Sequence, residues 1–463
     1  MQMKAKKLLF VLLITFFLTP FYLSAQSSIF YPRLKLDLPL FDFPYQIDAM
    51  NTVGHGFFGS YVNPSMNQSL ALATDLVSSL NFGMQYFYEN SKINERVKGG
   101  LYIAGLGFGT LLISYLPGGD GWLHEEYHRA VMTHYGINSF NGMNLFPLGA
   151  EIISVDHIKD KDLVRLKAKS PADMVRLQAA GIEGEYLLIN NLQRNNFFYE
   201  QQLPNYWLYW MVTVNSHFYI YMSASPSDVD VKTAKMNMLE TKIASRDFTG
   251  FDMTGWVYDL FRPNEPYEAR GVHPSGVGIN RYRTTKDLTD KELNYLIGQA
   301  YLHFVNYLSP MLYGFSSIPL GNNGLTGNFA MRHLLTSFGS DISSLVFLKY
   351  GDLNFAFALH NYLNYKNYFP AIEAELVDYP FHLTGDFLML FSPRIIIGMQ
   401  PENQKFKTGT PEFLGLFGLR VDFVISQNFL PFVDLTAKTD GWVAGNVYLD
   451  KNVSCRVGVS FRF

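Results

Sequence analysis

The spacing of apolar positions changes to a period of two past about residue 340. Large apolar residues alternate there with polar or small ones, and the pattern is clearest over residues 353–360, 417–426 and 453–463. About eight such segments can be counted, and short turns join them. A period of two predicts strands with one apolar and one polar face. We therefore expect an antiparallel barrel or sheet of about eight strands at the C-terminal end.

The chain before residue 340 shows mainly helical spacing of its apolar positions. Helices are predicted over residues 67–90, 97–116, 122–135, 171–193, 206–222 and 290–308. The segment 97–116 is long enough to span a bilayer, but its many glycines favour a buried helix packed against its neighbour at 122–135. The polar, turn-rich segment 224–288 is expected to be a loop that either lies over the active site or only packs against the domain.

These patterns divide the chain into three parts. Residues 1–26 combine lysines, an apolar core and a small residue at Ala25, which is typical of a cleaved export signal. Residues 27–339 are expected to form a helical domain, and residues 340–463 the antiparallel β domain. The predicted fold class is therefore α+β.

Composition narrows the classes of function. A net charge of −3 gives no basic footprint, so nucleic acid is not expected as a partner. The single cysteine, Cys455, excludes an intramolecular disulfide and a cysteine-based zinc site. Aromatic residues make up 16% and charged residues 17%, a profile typical of a protein partly solvated by lipid. The chain ends on alternating strand residues and a phenylalanine, Phe463, as Gram-negative outer-membrane proteins do. We expect the outer membrane, with a soluble periplasmic protein as the alternative.

The sequence H-E-x-x-H at residues 124–128 carries the candidate chemistry. On a helix, His124 and His128 lie one turn apart on the same face, so both imidazoles can bind one metal ion. Glu125 flanks that face without having to bind the metal. A zinc ion lowers the pKa of a bound water, and a neighbouring carboxylate can take its proton.

A third protein ligand is needed to complete such a zinc site. The best candidates are Glu183 and Glu185 on the next predicted helix, where both lie among apolar and small residues. They are separated by about 200° around the helix, so only one can face the metal. Glu183 is favoured because Ala179, Ala180 and Leu187 surround it, and a carboxylate there needs a partner. Glu185 remains the alternative.

Residues 122–193 resemble the zincin metallopeptidases whose third ligand is a glutamate on a following helix. The resemblance implies zinc bound by His124, His128 and Glu183, with Glu125 as the general base for peptide hydrolysis. The sequence departs from several such families at Leu187, four residues after Glu183, where those families have an aspartate. The residue that stabilises the transition state is not identified by the pattern. The possible residues are His217, Tyr258, His273 and His303.

The sequence therefore predicts a zinc-dependent, membrane-associated metallopeptidase that acts on a peptide or protein, with the lipid bilayer as a partner. Zinc is the expected cofactor. One alternative is a zinc hydrolase that acts on a lipid or cell-wall substrate. The other is a non-enzymatic outer-membrane barrel whose helical part is a structural plug. The sequence leaves the oligomeric state open.

Overall fold

The computed structural model describes residues 32–53, 62–145, 153–199, 206–382 and 387–463. These residues belong to one compact unit. The expected export signal at residues 1–26 lies outside the described residues.

The described ranges contain ten α-helices, which we number in chain order. They are α1 (Tyr45–Val53), α2 (Met66–Asn90), α3 (Glu95–Ser114), α4 (Asp120–His134), α5 (Asp160–Lys169), α6 (Pro171–Phe198), α7 (Tyr206–Met222), α8 (Pro226–Leu239), α9 (Asp252–Phe261) and α10 (Asp290–Leu302). The predicted helices are confirmed. The expected loop 224–288 was partly wrong, because it contains both α8 and α9.

The same ranges contain thirteen β-strands. They are β1 (Lys35–Phe43), β2 (Phe140–Asn141), β3 (Val155–Asp156), β4 (Ile318–Pro319), β5 (Thr326–Leu335), β6 (Ser340–Tyr350), β7 (Leu353–Asn364), β8 (Asn367–Val377), β9 (Tyr379–His382), β10 (Leu388–Pro401), β11 (Pro411–Phe423), β12 (Phe429–Lys438) and β13 (Asn452–Arg462). Only β2 and β3 lie outside the main sheet, where they pair with each other.

The main sheet is antiparallel and has eleven strands in the order β1-β13-β12-β11-β10-β8-β7-β6-β5-β4, with β9 also paired to β10. The mixed α and β class and the antiparallel pairing are confirmed, and the sheet is larger than the expected eight strands. It is not closed into a barrel, since β1 and β4 form its two edges within the described chain. Strands β1, β4 and β5 precede residue 339, so the sheet uses residues from both sides of the expected domain boundary.

The two faces of the sheet differ in polarity, as the alternating pattern predicts. In β7, Phe357 and Leu359 are 38% and 47% exposed on the outer face, whereas His360 is buried. In β13, Val453 is exposed and Arg462 is buried. The inner face, which carries the charged residues, faces helices α2 and α6. The apolar face therefore points away from the helices.

Ion pairs neutralise the charges on the inner face and connect it to the helices. Arg194 of α6 donates two hydrogen bonds of 2.5 Å each to the carboxylate of Glu375 in β8. Arg420 of β11 contacts both oxygens of Asp37 in β1, at 3.0 and 2.9 Å. Charged groups removed from water need such partners, so these pairs fix α6 and β1 relative to the sheet.

Helix α3 is long and apolar enough to cross a membrane, and no other helix of the described residues meets those two criteria. Its expected burial was wrong, because only 22% of its apolar window is buried. Phe108 is 70% exposed and Ile103 is 57% exposed. Two of its glycines approach α2 rather than the H-E-x-x-H helix: Gly105 faces Met84 and Gly109 faces Leu80.

Candidate metal centre

The H-E-x-x-H residues lie on α4, which begins after a tight turn. Gly118 adopts a positive φ of 90° in that turn, a conformation that glycine adopts without steric cost. The helix places the rings of His124 and His128 on one face, with their centroids 4.9 Å apart. Both histidines and Glu125 are buried, so any charge they carry must be balanced within the protein.

Helix α6 crosses α4 closely because two glycines lie at the crossing. A Cβ atom at Gly181 would overlap the ring of His124, and a Cβ atom at Gly184 would lie 2.9 Å from the ring of Tyr127. A close crossing of two helices requires small residues at the contact. The small-residue stretch noted in the sequence therefore allows α6 to pack directly against the histidines.

Asp252, the first residue of α9, completes the group. Its Oδ2 atom lies 3.1 Å from Nε2 of His124 and 3.5 Å from Nε2 of His128. One candidate ligand atom from each of the three residues lies within 4.8 Å of the other two, and all three residues are buried. A buried group of His124, His128 and Asp252 can hold a metal ion.

The other ring nitrogens show which atoms face the centre. Nδ1 of His124 donates to Oε1 of Glu185 at 2.8 Å, and Nδ1 of His128 donates to the carbonyl oxygen of Leu177 at 2.5 Å. In a neutral imidazole the second nitrogen then carries a lone pair. Both Nε2 lone pairs therefore point at the same carboxylate oxygen. Three acceptors that converge in this way require a cation between them, either a metal ion or protons on the rings.

The spacing fits zinc. Zinc bonds to histidine nitrogen and carboxylate oxygen are about 2.0–2.1 Å long, which places tetrahedral ligand atoms about 3.3 Å apart. The distances from Asp252 Oδ2 to the two nitrogens, 3.1 and 3.5 Å, are on either side of that value. Three protein ligands would leave the fourth position of a tetrahedron for water or substrate.

The charges around the centre shift the pKa values of its members in opposite directions. Burial lowers the pKa of His124, but hydrogen bonds to Asp252 and Glu185 outweigh burial and raise it well above its ordinary value. Burial raises the pKa of Asp252, but the charges of His128 and His124 and their hydrogen bonds lower it below its ordinary value. The environment therefore favours positive charge between an ionised Asp252 and the two rings.

Glu125 lies next to this group but does not belong to it. Its carboxylate accepts no hydrogen bond from any described residue, although its side chain is buried. Burial raises its pKa to about 8, to which the negative charges of Asp252 and Glu126 also contribute, while His124 lowers it. With a pKa of about 8 the carboxyl group is mostly protonated at neutral pH, and a cation bound beside it would favour the ionised form that accepts a proton.

Tyr219 of α7 is a further member of the site that the sequence did not indicate. Its hydroxyl donates to Oδ2 of Asp252 at 3.0 Å and accepts from the Asp252 backbone N–H at 3.1 Å. Its ring lies 6.2 Å from that of His124. These two hydrogen bonds hold Asp252 in the orientation that faces the histidines.

The four residues suggested for transition-state stabilisation have other hydrogen-bond or ring partners. His303 accepts from Tyr186 and bonds to His333, and His217 packs against the ring of Phe304. Tyr258 donates to Glu265, and His273 bonds to Ser275. The site group among the described residues does not include them.

The two glutamates expected as third ligand have different roles in the structure. Glu183 is buried and forms an ion pair with Arg176 at 3.0 Å, and it also accepts from the backbone N–H of Gly445 at 2.7 Å. Glu185 reaches the site, but as the acceptor of the His124 Nδ1 proton and not as a member of the metal group. It also accepts a hydrogen bond from Ser216.

Asp252 gives little signal in the sequence. An acidic residue in the first turn of a helix is common, because it favours the helix dipole wherever the helix lies. Asp252 is also 124 residues beyond His128, inside the segment expected to cover the site. That segment does reach the centre: Phe248 packs on the ring of His128 with their centroids 4.8 Å apart.

Comparison with known proteins finds no protein family, curated sequence or solved structure that matches this chain. The function therefore has to be argued from the site itself.

Proposed function

We propose that this protein is a zinc-dependent hydrolase that works at the outer membrane of a Gram-negative bacterium. The activity that we propose for it is that of a metallopeptidase. The observation that carries the proposal is the convergence of His124 Nε2, His128 Nε2 and Asp252 Oδ2, with the unpaired carboxylate of Glu125 beside them. Metal-assisted hydrolysis needs protein ligands for the metal, here two imidazoles and one carboxylate, and a further acidic residue to accept a proton.

Each residue has a distinct part in that chemistry. His124, His128 and Asp252 would hold the ion, which when bound supplies a Lewis acid that lowers the pKa of water. Glu125 would take the proton from the attacking water and pass it to the leaving group. Glu185 and Leu177 fix the ring orientations through Nδ1, so that both Nε2 atoms face inward.

The substrate class rests on the resemblance of the H-E-x-x-H segment to zincin metallopeptidases, which favours peptide bonds. The same residues could hydrolyse an ester or amide in a lipid or cell-wall polymer, because the water-activating step is identical. The apolar outer surface favours testing these substrates as well, since a membrane-bound enzyme meets them at its own surface.

The membrane location is supported by the arrangement of the sheet. Its outer face is apolar and its inner face is charged, the reverse of a soluble sheet that covers a core. Exposed aliphatic and aromatic residues recur on its central strands: Phe329, Phe357, Leu359, Ile372, Ile397, Met399, Phe413, Phe417 and Leu435. So many exposed apolar residues on one sheet face favour contact with lipid or another apolar surface.

The deciding experiment combines metal analysis with a substrate screen. Purified full-length protein should contain about one zinc per chain and cleave at least one member of a panel of peptides, lipid esters and peptidoglycan fragments. Glu125→Gln should retain the zinc and lose the cleavage. Zinc without cleavage by the wild type across the whole panel would favour the structural-plug alternative.

A further inference from the structure

A second polar site lies on the opposite side of α6 from the metal centre. A cavity of about 300 Å³ separates the inner face of the sheet from helices α2 and α6. That volume lies at the lower end of the range typical of small-ligand sites. Charged side chains from most strands of the sheet surround it, so an occupant would have to be polar.

Most of the charges around the cavity are already neutralised. Four of its arginines form ion pairs with neighbouring carboxylates: Arg194 with Glu375, Arg394 with Glu373, Arg420 with Asp37, and Arg456 with Asp434. An arginine paired with a carboxylate has its charge neutralised and therefore attracts a ligand anion less strongly.

Arg332 of β5 is different. Its side chain lines the cavity and is only 6% exposed, and its Nε atom donates to Ser343 at 3.2 Å. Its two terminal Nη atoms have no hydrogen-bond or ion-pair partner among the described residues. The charge of Arg332 also acts on Glu183 at longer range, but Glu183 is already paired with Arg176. The terminal donors of this cavity-lining guanidinium are available to an anion.

Asn190 of α6 lies close to Arg332. Both residues also line a second cavity of about 20 Å³, so they share the wall between the two spaces. The buried Oδ1 atom of Asn190 has no hydrogen-bond partner among the described residues. A cationic donor pair and an unused neutral acceptor therefore occur together at one end of the larger cavity.

We propose that this cavity binds a small organic anion, with its carboxylate or phosphate group on the Nη atoms of Arg332. The side chain of Asn190 lines the cavity near this site and would contact the group next to the anion. A guanidinium fork matches two oxygens of a carboxylate or phosphate at once, which gives this site its specificity. The site is independent of the metal centre and of the proposed hydrolysis.

Calorimetric titration of the full-length protein in detergent tests the proposal, with sodium acetate, inorganic phosphate and neutral acetamide as probes. At least one of the two anions should bind saturably at one site per chain, and acetamide should not. The anion that binds more tightly shows whether the site prefers a carboxylate or a phosphate. Arg332→Gln should weaken anion binding at least about tenfold. Arg96→Gln, which removes an exposed charge on α3, should leave binding unchanged.

Two further comparisons keep the result decisive if Arg332→Gln does not fold. The comparison of acetate binding with acetamide binding can be made on the wild-type protein alone. Arg332→Lys keeps the charge but loses the planar donor pair, and should therefore bind the anion more weakly than the wild type. Saturable binding of neither anion, equal binding of acetamide, or undiminished binding in a folded Arg332 variant would overturn the proposal.

Discussion

Nε2 of His124 lies 3.1 Å from Oδ2 of Asp252, although the two residues are 128 positions apart. One comes from the helix that carries the H-E-x-x-H sequence and the other from the start of α9. A ring nitrogen and a carboxylate oxygen approach so closely when a proton or a metal ion lies between them, so this contact defines the first test.

If the wild type binds zinc as proposed, Asp252→Ala should lose it, as should His124→Ala and His128→Ala, because each substitution removes one of the three proposed ligands. Glu183→Ala is the matched control among buried acids. It should keep its zinc but lose about 3–5 kcal/mol of stability, because Arg176 is left buried without its partner. Metal content by mass spectrometry and urea unfolding give the two readouts. Loss of zinc in the Glu183 variant alone would return the third-ligand role to Glu183.

Glu125→Gln should reduce turnover at least about a hundredfold, since general-base catalysis typically contributes factors of that size. Its zinc content should equal that of the wild type, because Glu125 is not one of the three converging residues. Glu89→Gln, on the surface of α2, provides a control for charge removal. Unchanged turnover in the Glu125 variant would show that another group accepts the proton.

Glu185→Gln should weaken zinc binding about 10- to 100-fold without abolishing it, the usual effect of losing a partner that orients a metal-binding histidine. Competition with a chelator of known affinity measures the change. Ser216→Ala should have a smaller effect, because Ser216 acts only through Glu185. A complete loss of zinc in Glu185→Gln would mean that this glutamate binds the ion directly.

Gly181→Ala should displace the His124 ring and lower both zinc affinity and stability, because the added methyl group would overlap the ring. Gly107→Ala on α3 serves as the control, since no atom lies within 4 Å of the added Cβ. That change should be neutral or slightly stabilising, because alanine is the better helix former. Equal behaviour of the two variants in zinc titration and thermal unfolding would contradict the close crossing of α4 and α6.

Ile372→Arg tests the membrane assignment. Ile372 lies mid-strand in β8 and is 61% exposed on the apolar face. In a membrane wall the arginine should cost about 2–4 kcal/mol. At a water-exposed position it should cost less than about 0.5 kcal/mol. Val231→Arg, at a 67% exposed position on α8, should be close to neutral in both cases. Equal unfolding free energies for the two variants in lipid would argue for the soluble alternative.

The local sequence pattern was enough to predict the helices and strands but not the contacts between them. His124 and His128 could be placed together because the period of one helix fixes their relative position. The alternation over residues 353–360 likewise fixed which side chains share a face of β7. Its apolar face could have met lipid or a protein core, and the spacing alone does not distinguish these. The proposed third ligand, Asp252, is brought to the histidines by a contact between distant helices that no local period encodes.

The reasoning about Glu183 shows the same limit. A carboxylate among apolar neighbours on a helix does need a partner, and Glu183 has one. That partner is Arg176, seven residues earlier and therefore two turns along the same face of α6. The sequence correctly indicated that Glu183 needs a cationic partner. Arg176 on the same helix fills that role as well as a metal ion would.

The pairing of β1 with β13 constrains the order in which the molecule can be made. Residues 35–43 bond along residues 455–462, and the backbone of Leu34 exchanges hydrogen bonds with that of Phe463. β1 is therefore synthesised early, whereas its neighbour β13 is synthesised only after nearly the whole chain. Its unpaired backbone groups must meanwhile be solvated or held by another protein. Completion of the sheet is then a late event, and a chain that stops short of β13 leaves both β1 and β12 as open edges.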